Sequence, residues 1–228
     1  MRVDKFLSQM KFCSRKQAKS FIKSHKIIID NHQIFDADFS FEPSLEKISI
    51  DDELIFYEDT IYLALNKPKG YVSANKDEMH PCVIDLIKKP FDRFDFKIAG
   101  RLDIDTEGLM ILSTDGKFVH EITHPNHHLP KTYIAVLDKK FTDANLLLNG
   151  IEIVDGHQKP FIAKALDIKT NGKEVSIVID EGKFHQVKRM FLKVGYEVIY
   201  LKRIQIGNLK LKDLFPGTYI QVRKDEIL

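Results

Sequence analysis

The chain has 228 residues, 43% of them hydrophobic and 30% charged, with a formal net charge of only +2. There is material for a true core, and bulk charge does not announce a nucleic-acid binder. Cys13 and Cys82 are too few for a disulfide framework or a cysteine zinc site, and no apolar run reaches the ~18 residues of a membrane span, so a soluble cytoplasmic protein with no membrane partner is expected.

Val3, Phe6, Leu7 and Met10 recur at helical spacing and predict a first short helix. Ser14 followed by Gln17 is a capping-box pattern, so a second helix is expected to begin near Arg15, with Ala18, Phe21 and Ile22 as its apolar stripe. Ile27–Ile29 reads as a strand and Asp30-Asn31-His32 as a turn. Charge is divided unevenly along this stretch. Arg2, Lys5, Lys11, Arg15, Lys16, Lys19, Lys23 and Lys26 face a single acid, Asp4, and the acids Asp36, Asp38, Glu42, Glu46, Asp51 and Asp52 follow. Such asymmetry suggests a basic binding face or a solvated helix face. Residues 1–58 are expected to form one small domain, with the acid-rich Asp51–Thr60 as the linker region.

The second domain, 59–228, opens with Ile61–Leu65 as a buried strand, followed by a turn over Asn66–Gly70. Val83–Lys88 predicts a short helix. Leu109–Ser113 predicts a strand that stops at Asp115-Gly116, and Phe118–Thr123 a helix closed by His124-Pro125. Lys131–Leu137 and Glu174–Asp180 are strand patterns, and Phe184–Val194 is a helix with Gly195 at its C-terminal cap. Strands and helices alternate without a βαβ repeat. The expected class is therefore α+β: a mixed, mainly antiparallel sheet flanked by helices.

Chemistry concentrates in Gly100–Leu109, where Arg101, Asp103, Asp105, Thr106 and Glu107 sit between apolar segments. Half-burying such a cluster requires its groups to be paired, and spacing alone leaves open an Arg–Asp pair that merely pins a loop. Asp105 rivals Asp103, since residues two apart share a face of an extended segment. Lys188 lies at the edge of the stripe Val187, Met190, Phe191 and Val194, where a long side chain can run along the core and deliver charge to a pocket, or simply face solvent. Tyr133 falls in a strand pattern and suits either a core or a pocket. His124, His127 and His128 lie between Pro125 and Pro130 without an acidic ligand, so a metal site is not expected there.

Three segments taken together, Gly100–Leu109, Lys131–Tyr133 and Glu181–Met190, resemble the RNA pseudouridine synthases. The likeness is to the branch that carries an N-terminal S4 domain and modifies ribosomal RNA, and most of all to its small-subunit synthase A type. The resemblance covers nearly the whole chain, and its S4 part rests on Arg2, Asp4, Lys5, Ser14, Arg15, Ala18 and Ile22. It implies that Asp103 is the catalytic acid, that Lys188 pairs with it, and that Tyr133 stacks on a flipped uracil. It implies that Arg101 fills the vacated space or holds a phosphate. Lys67, Arg2, Lys5, Arg15, Lys16 and Lys19 would contact RNA, and Lys67 would otherwise shape the pocket floor. Isomerising a uridine changes no redox state and adds no group, so neither metal nor cofactor is expected. The implied partner is ribosomal RNA, 16S by the length and by the 182–189 segment, free or in an assembly particle, acted on by a monomer. Two alternatives remain within reach of the sequence: a synthase acting on 23S RNA, and a non-catalytic RNA-binding or ribosome-assembly factor. A glycosidase using Asp103 and Asp105 as paired acids is a third, but it leaves the basic N-terminal stretch unused.

Overall fold

A computed structural model describes residues 1–124 and 129–228. The chain packs as two units: Met1–Ile61 with Ile87–Asp95, and Tyr62–Leu86 with Phe96–Leu228.

In the first unit, α1 (Val3–Gln9) is followed by a 3-10 turn (Arg15–Gln17) that runs into α2 (Ala18–Ser24). The capping-box partner is in place, since the Ser14 backbone N–H donates to Gln17 Oε1 at 3.1 Å. Four short strands, β1 (Ile27–Ile29), β2 (His32–Gln33), β3 (Ile48–Ile50) and β4 (Glu53–Ile55), form an antiparallel sheet in the order β2-β1-β3-β4. The helical stripe Val3, Phe6, Leu7, Met10, Ala18 and Ile22 packs with Ile27, Ile29, Ile48 and Ile50 into one core. The acid-rich stretch after Ile50 is not wholly a linker: Asp51 and Asp52, with φ of 49° and 66°, make a hairpin turn into β4. Asp30 and Asn31 do the same between β1 and β2, with φ of 43° and 68°. Short acidic and amide side chains tolerate this left-handed backbone, so the residues that look like a loop are hairpin chemistry. The excursion Ile87–Asp95 belongs to this unit because Phe91 and Phe94 pack on Phe56, with ring centroids 5.3 and 6.0 Å away. Arg93 adds a guanidinium 4.0 Å over the Phe12 ring.

The second unit is built on a mixed sheet of nine strands among the described residues. In chain order its elements begin with β5 (Tyr62–Lys67), β6 (Lys97–Ala99), β7 (Glu107–Ser113), α3 (Gly116–Thr123), β8 (Lys131–Leu137) and α4 (Ala144–Asn149). They continue with β9 (Ile151–Val154), β10 (Pro160–Ala163), β11 (Asp167–Asn171), β12 (Glu174–Ile179) and α5 (Gln186–Lys193). The last are β13 (Val198–Ile206), β14 (Leu209–Lys210) and β15 (Tyr219–Gln221). The sheet runs β11-β12-β8-β13-β7-β5-β15, with β6 on β7 and β14 on β13, while β9 and β10 make a separate hairpin. Every pairing in it is antiparallel except β13 with β7. This is the mainly antiparallel α+β architecture that the sequence predicts.

Differences from expectation are local. Val83–Leu86 is a 3-10 turn, and β5 runs on through Asn66 and Lys67, both buried. Helix α5 starts two residues later than its apolar pattern, because His185 adopts a left-handed φ of 51°. The nine-residue β13, between β8 and β7, is absent from the sequence-based assignment. Gly108 explains the close parallel pair: a Cβ there would lie 2.1 Å from the Arg203 carbonyl oxygen.

Candidate active site

The loop between β6 and β7 carries Arg101, Asp103, Asp105 and Thr106, and it is held from beneath. Ser73 clasps Leu102 from both sides: its hydroxyl donates to the Leu102 carbonyl at 2.6 Å and accepts the Leu102 N–H at 3.0 Å. The Gly70 N–H donates to the Ile104 carbonyl at 2.8 Å. Lys67 is fully buried and its ammonium reaches the carbonyls of Thr106 at 2.8, Asp103 at 2.9, Pro68 at 3.1 and Ile104 at 3.4 Å. Burial pulls this lysine down to about 8, against the opposing pull of Asp103 and Asp105. The expectation that Lys67 touches RNA is therefore corrected. Its three protons are committed to backbone, and it shapes the floor of the site instead.

Asp103, about a quarter exposed, emerges from this loop with both carboxylate oxygens engaged. Lys188 Nζ stands 3.2 Å from Oδ2, and His185 Nε2 stands 3.2 Å from Oδ1. Lys188 also binds Asp105 Oδ1 at 2.6 Å, so one ammonium bridges the two acids. Burial is the largest single influence and works against charge at both Lys188 and Asp105, but the hydrogen bond between them and the surrounding opposite charges together outweigh it: Lys188 is raised and Asp105 lowered from their ordinary values. Sequence reasoning passed over His185 and Gln186. The Gln186 side chain gathers the turn ahead of α5, accepting from the N–H groups of Gly182 and Lys183 at 3.0 and 2.9 Å and donating to Glu181 at 2.9 Å. That turn aims His185 at Asp103, while its ring stacks on Phe184 at 3.7 Å.

Asp103, Lys188 and Tyr133 line one cavity of about 50 Å³, which also touches Thr106, His185 and Leu201. Arg101, Asp103, His185 and Lys188 are shared with a wider cleft of about 600 Å³. Tyr133 is buried, and its hydroxyl meets Arg203 NH1 at 3.5 Å. Arg203, 1% exposed on β13, went unread in the sequence because, next to Lys202, it looks like part of a solvent face. Thr106 is buried, and its hydroxyl finds no hydrogen-bond partner among the described residues. Arg101 is exposed at the rim and enters no ion pair among the described residues, so it is not the residue that pins Asp103.

In the first unit Arg2 and Arg15 both pair with the largely buried Asp4, at 3.1 and 3.0 Å, and Arg2 also pairs with Asp38. Lys5, Lys16 and Lys19 are exposed. Among the described residues no cluster could hold a metal ion. His124 is described, whereas His127 and His128 lie outside the described residues. No helix among the described residues is long and apolar enough to cross a membrane.

Comparison with known proteins fits this geometry. Residues 61–193 match the family model described as RNA pseudouridylate synthase, and residues 1–43 match that of the S4 domain. An RNA pseudouridine synthase of Bacillus subtilis is 38% identical, the match covering all of this chain and 97% of the relative. Ribosomal small subunit pseudouridine synthase A of Escherichia coli is 36% identical, over all of this chain and 98% of its own length. A solved pseudouridylate synthase superposes with a TM-score of 0.67 at 32% identity, covering all of this chain and 98% of that one. The chain belongs to the RNA pseudouridine synthase family, in the branch whose members begin with an S4 domain.

Proposed function

We propose that this enzyme isomerises a specific uridine to pseudouridine in ribosomal RNA of the small subunit, with Asp103, Lys188 and Tyr133 as its catalytic set. The RNA target is supported by the full-length likeness to a relative named for the small ribosomal subunit. The observation that carries the site is the single cavity lined by Asp103, Lys188 and Tyr133.

The reaction breaks the bond between uracil N1 and the ribose, turns the base, and forms a bond from C5 to the same sugar carbon. C5 loses a proton and N1 gains one, so atoms balance without a cofactor. Asp103 is the one carboxylate of the loop that lines the small cavity, and it acts on the sugar or base as nucleophile or electrostatic partner. Lys188 holds that carboxylate in place from Oδ2, and Asp105 holds Lys188. Tyr133 offers a ring to the base; stacking of an unstacked base on an aromatic face contributes roughly 1–3 kcal/mol. Flipping the uridine out of its stack costs a few kcal/mol, and Arg101 at the rim fills the gap or holds a neighbouring phosphate. Lys5, Lys16 and Lys19 of the S4 unit grip RNA phosphates. The enzyme acts as a monomer in the cytoplasm.

Asp103→Asn tests the assignment. Conversion, followed by tritium release from C5-labelled ribosomal RNA, is expected to vanish while RNA affinity stays within about threefold. Retained turnover rejects Asp103. Mapping pseudouridine in ribosomal RNA from cells lacking the protein tests the target: loss of one small-subunit site supports it, and loss of a 23S site instead rejects it.

A further inference from the structure

We propose that Arg203 is a positioning residue for the reaction, acting on it through Tyr133. The inference rests on the catalytic set proposed above and extends it to a residue outside the cavity.

Arg203 is among the largest fully buried side chains of the molecule and forms no ion pair among the described residues. Its partners are all neutral oxygens. Nε donates to the Leu109 carbonyl at 2.8 Å, NH2 to the Gly100 carbonyl at 3.2 Å, and NH1 meets the Tyr133 hydroxyl at 3.5 Å. Burying a guanidinium without a carboxylate is unfavourable, and an apolar side chain of similar volume would serve the core at least as well. The three acceptors show what the charge is for. Gly100 begins the loop that carries Asp103, Leu109 lies in the strand into which that loop runs, and Tyr133 lines the same cavity as Asp103. One planar fork therefore ties the loop that carries the acid to the phenol.

Backbone geometry brings the fork there. Arg203 is paired directly with Tyr133 across β8 and β13, and with Gly108 across β7 and β13. A Cβ at Gly108 would strike the Arg203 backbone at 2.1 Å, so glycine is what allows β13 to seat the guanidinium beneath the loop. The consequence for Tyr133 is directional. A phenol oxygen that accepts from Arg203 has its own O–H left to donate, and Tyr133 lines the cavity that Asp103 and Lys188 also line. Arg203 thus sets the rotor of the Tyr133 hydroxyl, which donates to a carbonyl oxygen of the bound uracil.

The test is a double-mutant cycle on purified full-length enzyme with ribosomal RNA. Arg203→Lys keeps the charge but cannot span three acceptors. It is expected to lower kcat by about 100-fold with KM within about threefold. In a Tyr133→Phe background the same change is expected to lower kcat by no more than about threefold. Arg203→Gln, uncharged but still a donor, is the second variant, read in the same two backgrounds. A kcat of Arg203→Lys within about twofold of wild type overturns the inference, as does an equal loss with and without the Tyr133 hydroxyl. If neither variant folds with wild-type circular dichroism, Arg203 is a structural residue and the inference fails. A Tyr133→Phe enzyme of unchanged kcat would instead remove Tyr133 from the catalytic set, which is a separate failure visible in the single variant.

Discussion

At the residue scale, Lys67 is where burial and charge disagree most openly. An ammonium with no exposure is tolerated because four backbone carbonyls surround it, and the acids Asp103, Asp105 and Glu107 supply opposing charge nearby. Even so, burial lowers it from 10.5 to about 8. Below that value the lysine is protonated both folded and unfolded. Between about 8 and 10.5 the unfolded lysine still holds a proton that the folded one has released, so raising the pH across this window favours the folded chain. The effect amounts to on the order of 3 kcal/mol. Lys67→Met lacks this titration. The stability advantage of wild type over Lys67→Met, from urea unfolding, is expected to grow by up to that amount from about pH 7 to about pH 10.5. Lys131, also lowered to about 8, is present in both proteins and cancels. An advantage that stays flat with pH would mean that the buried ammonium keeps its proton. The same variant bears on chemistry, because the carbonyls it frees belong to the residues that present Asp103.

At the scale of elements, the site depends on the parallel pairing of β7 with β13, and that pair depends on Gly108. Gly108→Ala has no room, since the new carbon meets backbone of the next strand rather than a movable side chain. It is expected to lower stability by about 3 kcal/mol or more. Gly70→Ala is the control: its φ of 84° is similarly left-handed, but nothing lies within 4 Å, so only the backbone penalty of about 1 kcal/mol remains. Equal losses in the two variants would show that strand crowding is not what fixes Gly108. The same elements show what a sequence can reveal. Strand β8 was legible because residues 132–137 are rich in β-branched and aromatic residues, and α5 because Val187, Met190 and Phe191 form a stripe. Asp103, Tyr133 and Lys188 were legible from family likeness, since spacing left each with an ordinary structural role. Strand β13 was not legible. Register shifts after Val198 and after Arg203 break its alternation, and Tyr200, Lys202, Arg203 and Gln205 give it the look of a solvated segment. Its partners also lie far away in the chain, so no local pattern announces that Arg203 points inward. Of the two readings the sequence left open for Lys67, RNA contact and pocket floor, its burial favours the second; a lysine beside a proline turn looks exposed until the loop that folds over it is known.

At the scale of the whole molecule, the two units divide their cations differently. In the second unit three basic groups around the site are already engaged: Lys67 and Arg203 are held by backbone, and Lys188 by Asp103 and Asp105, while Arg101 stands exposed at the rim. In the first unit Arg2 and Arg15 share Asp4, whereas Lys16 and Lys19 stand exposed near the start of α2 with no ion pair among the described residues. A cation already neutralised by a carboxylate displaces fewer counterions when a phosphate arrives, so the two classes should differ in salt response. Replacing both Lys16 and Lys19 by alanine is expected to flatten the log–log dependence of RNA affinity on salt by about 1.4, at ~0.7 per lost contact with single-stranded RNA. Arg15→Ala is expected to flatten it by less and to lower stability, because it removes a partner of Asp4. With RNA held at saturation, turnover by the Lys16 and Lys19 variant should match wild type, since neither lysine lines the cavity of Asp103, Lys188 and Tyr133. Filter binding across a salt series, with single-turnover kinetics on the same preparations, separates the two effects. An unchanged salt slope would remove the exposed lysines from the RNA contact. A loss of turnover at saturating RNA would mean that they do more than hold the substrate.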